Sequence, residues 1–349
     1  MTKNLSRARQ ARASVDALHA RRRYRLATLA ALFSLFALIV AWHEAQRPRH
    51  PRKDEMPIAQ AHADDASEAA DSSGTPTPAA AADLVKRGEY LARVGDCAAC
   101  HTADKTRPFA GGLPIETPFG TLVTPNITPD PDTGIGQWTD EDFVRAMHEG
   151  IGKSGERLYP VFPYVEYTKL AEHDVLAIRA YLNSLAPIHY TPPHSSVKFP
   201  FDQRWLMAVW NMFNFSEERF VPDPKQSAEW NRGAYLVEGL AHCGECHTPR
   251  NATYGLKADS RLSGAVVRGS RAYNITPDKT SGVGGWSDEE LERYLSTGAT
   301  PGRPTATGAM ARVVENSTQY LTREDLRSIV QYLRSVPAIS GGETRAHGQ

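Results

Sequence analysis

Cys97-Ala98-Ala99-Cys100-His101 and Cys243-Gly244-Glu245-Cys246-His247 gather the reactive side chains of this sequence, and together they use all four of its cysteines. C-x-x-C-H is the spacing of c-type haem attachment: two thiols add to the two vinyl groups of the porphyrin, and the adjacent imidazole supplies a proximal nitrogen to the iron. A zinc site would want a second Cys or His pair near each first pair, and a disulfide or thioredoxin-like motif would not explain a histidine following both times. The pattern predicts two covalently bound haem c groups, one held by Cys97, Cys100 and His101, the other by Cys243, Cys246 and His247.

The elements that must position these motifs occur twice. Arg87-Gly88-Glu89-Tyr90-Leu91 before the first motif returns as Arg232-Gly233-Ala234-Tyr235-Leu236 before the second. Asn126-Ile127-Thr128-Pro129-Asp130 returns as Asn274-Ile275-Thr276-Pro277-Asp278, and Trp138-Thr139-Asp140-Glu141 as Trp286-Ser287-Asp288-Glu289, both at an offset of 148. A repeat of that period means homologous domains, since solenoid units are much shorter. In each copy a helix leads into the haem motif, and a second starts at a capping-box pattern, Thr139 to Asp142 or Ser287 to Glu290. A last helix carries apolar residues at helical spacing: Val175, Ile178, Tyr181 and Leu182, then Leu326, Ile329, Tyr332 and Leu333. The expected fold is all-α, with two tandem class I cytochrome c domains at 83–188 and 227–339, a strap at 189–226 and a tail at 340–349. Within the strap, Trp205, Leu206, Trp210, Met212 and Phe213 predict a helix packed across the domain interface, because aromatics at helical spacing are usually core.

The N-terminus reads differently. Residues 1–25 carry a charge of +7, which leaves −7 for the remainder of a formally neutral chain of 349 residues. That mild negative sign argues against nucleic acid as a partner of the folded part. The run Leu26–Trp42 holds 17 residues without a charge, and basic residues crowd one side of it only. It is read as a transmembrane anchor, 26–43, with 1–25 kept in the cytoplasm. No A-x-A site follows it, which disfavours a cleaved signal. Residues 44–82, rich in Ala, Asp, Ser, Thr and Pro, are expected to form a flexible linker. The expected location is the inner membrane, crossed once, with the haem domains in the periplasm.

From about Asp83 to Ile339 the chain resembles the membrane-bound c-type cytochrome subunits of bacterial periplasmic dehydrogenases, such as those of alcohol, aldehyde and N-heterocycle dehydrogenases. The stretches that carry the resemblance are Asn126–Trp138 (NITPDPDTGIGQW), Leu158–Tyr164 (LYPVFPY), Ser227–Asn251 and Gly308–Leu321 (GAMARVVENSTQYL). The resemblance implies an electron-transfer subunit without catalytic residues of its own. It would take electrons from the catalytic subunit of a periplasmic dehydrogenase and pass them to a quinone, another cytochrome or an oxidase. Alternatives are a dihaem enzyme, peroxidase-like or thiosulfate-oxidising, and the cytochrome subunit of a membrane oxidase. Members of this family often have three haems, whereas this chain has two motifs.

The two copies differ at the sixth iron ligand. Met310 stands where the resemblance places an axial methionine, 63 residues after His247. A thioether there favours reduced iron and raises the potential. Subtracting the offset of 148 lands on Phe162, which cannot ligate iron. For the first haem, His148 is the favoured ligand, since it aligns with Ser296 and has no apolar partner of its own spacing. Met147, aligned with Leu295, reads as core. Met207 or Met212 from the strap, or an open site, stay as alternatives.

Overall fold

A computed structural model describes residues 77–340, all of them within one compact unit. Thr77 starts helix α1 (Pro78–Val94): its hydroxyl accepts from the Ala80 N–H, and a proline opens the first turn. The last residues of the expected linker are therefore helical. Next come α2 (Cys97–His101), an antiparallel ribbon of β1 (Pro114–Thr117) and β2 (Gly120–Val123), then α3 (Asp140–Glu149), α4 (Tyr164–Tyr167) and α5 (Glu172–Ser184). A short β3 (Ser196–Val197) joins that ribbon, and α6 (Leu206–Asn214) lies in the connection.

The second half repeats the order. Helix α7 (Ala228–Tyr235) runs through a π turn at Leu236–Leu240 into α8 (Gly244–His247), followed by β4 (Ala265–Val267), β5 (Ser270–Ala272), α9 (Asp288–Thr297), α10 (Gly308–Asn316) and α11 (Arg323–Ser335). The architecture is helical, as expected, but it includes two small sheets among the described residues. Arg268 and Gly269, both at positive φ, make the two-residue turn that lets β4 and β5 pair.

Both capping boxes form: Thr139 with Asp142 at α3, and Ser287 with Glu290 at α9. The R-G-x-Y-L motifs are explained by what crosses them. A side chain on Gly88 would strike the Ala177 carbonyl at 1.8 Å, and one on Gly233 the Ser328 carbonyl at 1.9 Å. The glycines let α1 cross α5 and α7 cross α11 at backbone contact. The arginines pair within each half, Arg87 Nε to Asp174 at 2.8 Å and Arg232 Nε to Asp325 at 2.8 Å. The tyrosines reach into the other half: Tyr90 OH donates to Asp325 at 2.5 Å, and Tyr235 OH to Asp174 at 2.7 Å. Each buried carboxylate thus holds an arginine of its own half and a tyrosine of the other. Leu91, Val94, Val175, Ile178, Leu182, Leu236, Leu240, Ile329 and Leu333 join both halves in one apolar core.

Two expectations need correction. The single-pass inner-membrane location is not upheld: among the described residues no helix is long and apolar enough to cross a membrane. The run Leu26–Trp42 on which that location rested, with segments 1–25 and 44–76, lies outside the described residues. The strap aromatics are not uniformly core either. Only Met207 and Asn211 of α6 are buried, one helical turn apart, while Phe213 is 75% and Trp205 51% exposed. A nine-residue helix with one stripe against the protein presents the rest of its apolar surface outward.

Candidate haem sites

Both C-x-x-C-H segments are short helices entered from a residue in the left-handed region, Asp96 at φ 56° and His242 at φ 39°. The loop that follows differs in length, 7 residues from Thr102 to Phe109 against 14 from Thr248 to Leu262, but two of its bonds recur. Phe109 N–H donates to Thr102 Oγ at 3.0 Å, and Leu262 N–H to Thr248 Oγ at 3.1 Å. Gly111 N–H bonds the His101 carbonyl at 2.7 Å, and Gly264 N–H the His247 carbonyl at 2.8 Å. These bonds turn the chain back under the histidine.

The histidines are then fixed by backbone. His101 Nδ1 donates to the Pro125 carbonyl at 2.8 Å and His247 Nδ1 to the Tyr273 carbonyl at 2.6 Å. With Nδ1 committed, Nε2 carries the lone pair, which is the tautomer an iron ligand needs. The N-I-T-P-D motif supplies the rigidity, because each carbonyl sits one residue before its asparagine. Asn126 Oδ1 accepts from Thr128 N–H at 2.9 Å while its amide donates to the Ile188 carbonyl at 2.8 Å. Asn274 does the same with Thr276 at 2.8 Å and Ile339 at 2.7 Å. The asparagine thereby pins the segment that follows the last helix of each half to the stretch of chain that holds the motif histidine. Sequence reasoning found the repeat of this motif but not its task, since a carbonyl acceptor leaves no mark in residue type.

The cysteines are free to form the thioether bonds that the motif spacing calls for. All four are free of disulfides. Burial pushes Cys97 up to about 12, Cys100 to about 11 and Cys243 to about 12, and raises Cys246 as well. Among the described residues no three His, Cys, Asp or Glu side chains converge to hold a metal ion by themselves. The residues present fit a haem that is bonded through two thiols and ligated by one fixed imidazole, in both halves.

The two motifs are neighbours. Asp96 and Arg268 act electrostatically on both Cys100 and Cys246. Burial raises the Asp96 carboxyl to about 7, against the pull of Arg312 from the other half. Beside the second motif, Arg261 packs 2.9 Å from where a side chain on Gly244 would lie. It also bridges the buried Glu166, at 3.0 Å, to Glu238. Burial alone would raise Glu166, but Arg261 and Lys169 outweigh it and hold the carboxyl below its ordinary range.

Elsewhere the halves diverge. Leu158 N–H bonds the left-handed Gly150 carbonyl at 2.7 Å, and Ala306 N–H bonds Gly298 in the same way at 2.7 Å. Four residues further on come Phe162 and Met310, so the offset of 148 survives into the structure and the two are equivalent. Both are half-buried, Met310 on the first turn of α10 and Phe162 with its ring 5.6 Å from Tyr167. Of the other donors considered, His148 is 1% exposed on α3, Met147 lies in the core beside it, Met207 is buried and Met212 half-buried.

A cytochrome c family model matches residues 85–186. A nicotinate dehydrogenase subunit of Pseudomonas putida is 45% identical over 256 residues, which cover 73% of this chain and 21% of that protein. The gluconate 2-dehydrogenase cytochrome c subunit of Pantoea cypripedii is 42% identical over 271 residues, 75% of this chain and 61% of its own length. A diheme cytochrome c-type protein of Cereibacter sphaeroides is 41% identical over 261 residues, covering 72% of this chain and 86% of that protein. The chain thus spans less than two thirds of the dehydrogenase subunits it matches.

Proposed function

Because this chain belongs to the c-type cytochromes, in the group that includes cytochrome c subunits of dehydrogenases and a dihaem cytochrome, we propose that it relays electrons from a dehydrogenase to a downstream acceptor through two covalently bound haem c groups. When bound, each haem supplies a one-electron Fe(III)/Fe(II) couple. Everything else is done by the chain.

Cys97, Cys100, Cys243 and Cys246 hold the groups covalently, and His101 and His247 ligate the irons through Nε2. Met310 would be the sixth ligand of the second iron, where its thioether would favour the reduced state. Phe162 offers nothing to the first iron, for which His148 is the candidate sixth ligand. The boundaries 83–188 and 227–339 describe two class I cytochrome domains, with 189–226 as the strap between them. Acceptors that fit a one-electron relay are a quinone, another cytochrome or an oxidase. The observation that carries the reading is the duplicated proximal site, in which two imidazoles are oriented by the same bond to a backbone carbonyl.

The test is reduction of the oxidised holoprotein by its dehydrogenase. The pure protein is expected to show two haems per chain by pyridine haemochrome, to leave the dehydrogenase substrate untouched alone, and to be reduced only when both enzyme and substrate are present. One haem per chain, or turnover of the substrate by the cytochrome itself, would refute the proposal.

A further inference from the structure

Between their cysteines the two haem motifs differ, Ala98-Ala99 in the first and Gly244-Glu245 in the second, and the reason lies at Gly244. A side chain there would meet the Arg261 guanidinium at 2.9 Å. Glycine lets that cation lie against the backbone between Cys243 and Cys246. Phe109 and Leu262 make the same bond to the threonine after their motifs, and the residue before each is Pro108 in one half and Arg261 in the other. The longer loop of the second half thus delivers a cation where the first half has a proline.

Arg261 is held from both halves. Its Nη2 donates to Glu166 Oε1 at 3.1 Å and to Oε2 at 3.0 Å, and Glu166 belongs to α4 of the first half, where it is 1% exposed. Its Nε donates to Glu238. Glu238 sits in the π turn, which takes up the one residue by which the second half exceeds the first between R-G-x-Y-L and its motif. Lys169 Nζ completes the cluster, donating to Glu166 at 2.9 Å and to the Glu238 carbonyl at 3.1 Å. Tyr332 OH donates to the other Glu238 oxygen at 2.9 Å. Two cations and two carboxylates therefore balance one another, and the balance is struck between the halves. Burial opposes the charge on Glu166, but Arg261 and Lys169 outweigh it and keep the carboxylate ionised. After burial, the thiol of Cys243 responds to Glu238 and Glu166, which raise it, and to Arg261, which lowers it. Cys97 and Cys100, after burial, respond first to Asp96.

We infer that Glu166 and Arg261 set the reduction potential of the haem bonded to Cys243 and Cys246, so that a side chain of the first half tunes the redox centre of the second. The inference rests on the two-haem reading above. Oxidation adds one positive charge to the haem. A carboxylate close by favours the ferric state and lowers the potential, while a guanidinium favours the ferrous state and raises it. Such charges, largely withdrawn from water, are screened less than surface charges. Arg261 against the motif pushes the potential up, and Glu166 and Glu238 draw it back. Glu166 is a positioning residue, since its two bonds hold the guanidinium at Gly244 while its charge offsets it. One electron enters or leaves the iron, and no bond or proton changes in the cluster.

The experiment is a redox titration of the purified holoprotein by haem absorbance, with the haem count by pyridine haemochrome alongside. The step of the second haem is the one missing when Cys243 and Cys246 are replaced by Ala. Glu166→Gln keeps the shape and an acceptor for Arg261 but removes the charge. It should raise that step, so that at the wild-type midpoint the ratio of reduced to oxidised iron increases several-fold. Arg261→Gln should move the ratio several-fold the other way, Arg261→Lys should stay close to the wild type, and the first-haem step should move less in all three. The opposite signs separate charge from damage, because loosened packing that admits water to the motif would shift both Gln variants in one direction. Should Arg261→Gln lose its haem, Glu238→Gln, which removes the more exposed carboxylate of the pair, has to reproduce the rise of Glu166→Gln. Shifts of the same sign in Glu166→Gln and Arg261→Gln, no shift in Glu166→Gln, or equal movement of both steps would overturn the inference. A wild-type count of one haem would instead remove the two-haem reading beneath it.

Discussion

Both halves fix the histidine of their motif through the carbonyl that precedes an asparagine, His101 at Pro125 and Asn126, His247 at Tyr273 and Asn274, yet at the site where one half has Met310 the other has Phe162. The duplicated side would serve attachment and ligand orientation, where the tolerance is small, because the carbonyl bond at Nδ1 fixes the ring that would offer Nε2 to an iron. In the proposed function the divergent side would set the redox character, since a thioether at that position favours reduced iron and a phenyl ring offers no ligand. On the proposed reading, two haem sites built on one plan would become unequal through the position that holds Phe162 in one half and Met310 in the other.

The sharpest way to break the comparison is to remove one attachment site. Replacing Cys97 and Cys100 by Ala should cost the first haem and leave the second, and Ala at Cys243 and Cys246 should do the converse, read as the fall from two haems to one by pyridine haemochrome. Loss of both from either change would mean that the halves do not load independently.

Next in size are the carboxylates shared between halves. Asp325→Asn weakens the bonds to Arg232 and Tyr90, and Asp174→Asn those to Arg87 and Tyr235. Each should lower unfolding free energy by about 2 kcal/mol, the cost of leaving buried partners poorly satisfied. Because each variant touches both halves, denaturation should remain a single transition. Two separated transitions would show that the halves are less coupled than these bonds imply.

These ties also mark what the sequence could and could not disclose. The haem motifs, the 148-residue offset and both capping boxes were legible because each is a local pattern with its own chemistry. The apolar faces of α5 and α11 were legible for the same reason. The partners of R-G-x-Y-L were not, since Tyr90 and Asp325 lie 235 residues apart and nothing in either neighbourhood names the other. Nor was the role of N-I-T-P-D, whose effect passes through the Pro125 and Tyr273 carbonyls. The strap helix misled because aromatic spacing reports that a face is apolar, not that something covers it. Glu166 and Arg261 escaped notice because their meaning lies in a contact between the two halves.

The smallest effect is on pH dependence. His242 is depressed from 6.5 by burial, and Glu166 is held below 4.5 because Arg261 and Lys169 outweigh its burial. Both favour the deprotonated form in the folded state, so both contribute stability that is present above their unfolded values and lost as pH falls. Unfolding free energy should begin to drop below about 6.5 through His242 and drop further in the carboxylate range through Glu166. Glu166→Gln should flatten the lower part of that curve and His242→Gln the upper part, measured by denaturant titration from neutral to acid pH. A variant that steepens its own limb would contradict the assignment.

The most direct test of the account is a redox titration followed by electron paramagnetic resonance on the holoprotein and on Phe162→Met. The two irons of the wild type should titrate as separate one-electron steps, with the Met310 haem at the higher potential. Phe162→Met should move the lower step upward and turn its signal into one of the His–Met type. Two indistinguishable irons in the wild type, or a Phe162→Met protein whose signals and steps do not change, would contradict the claim that this position makes the halves unequal.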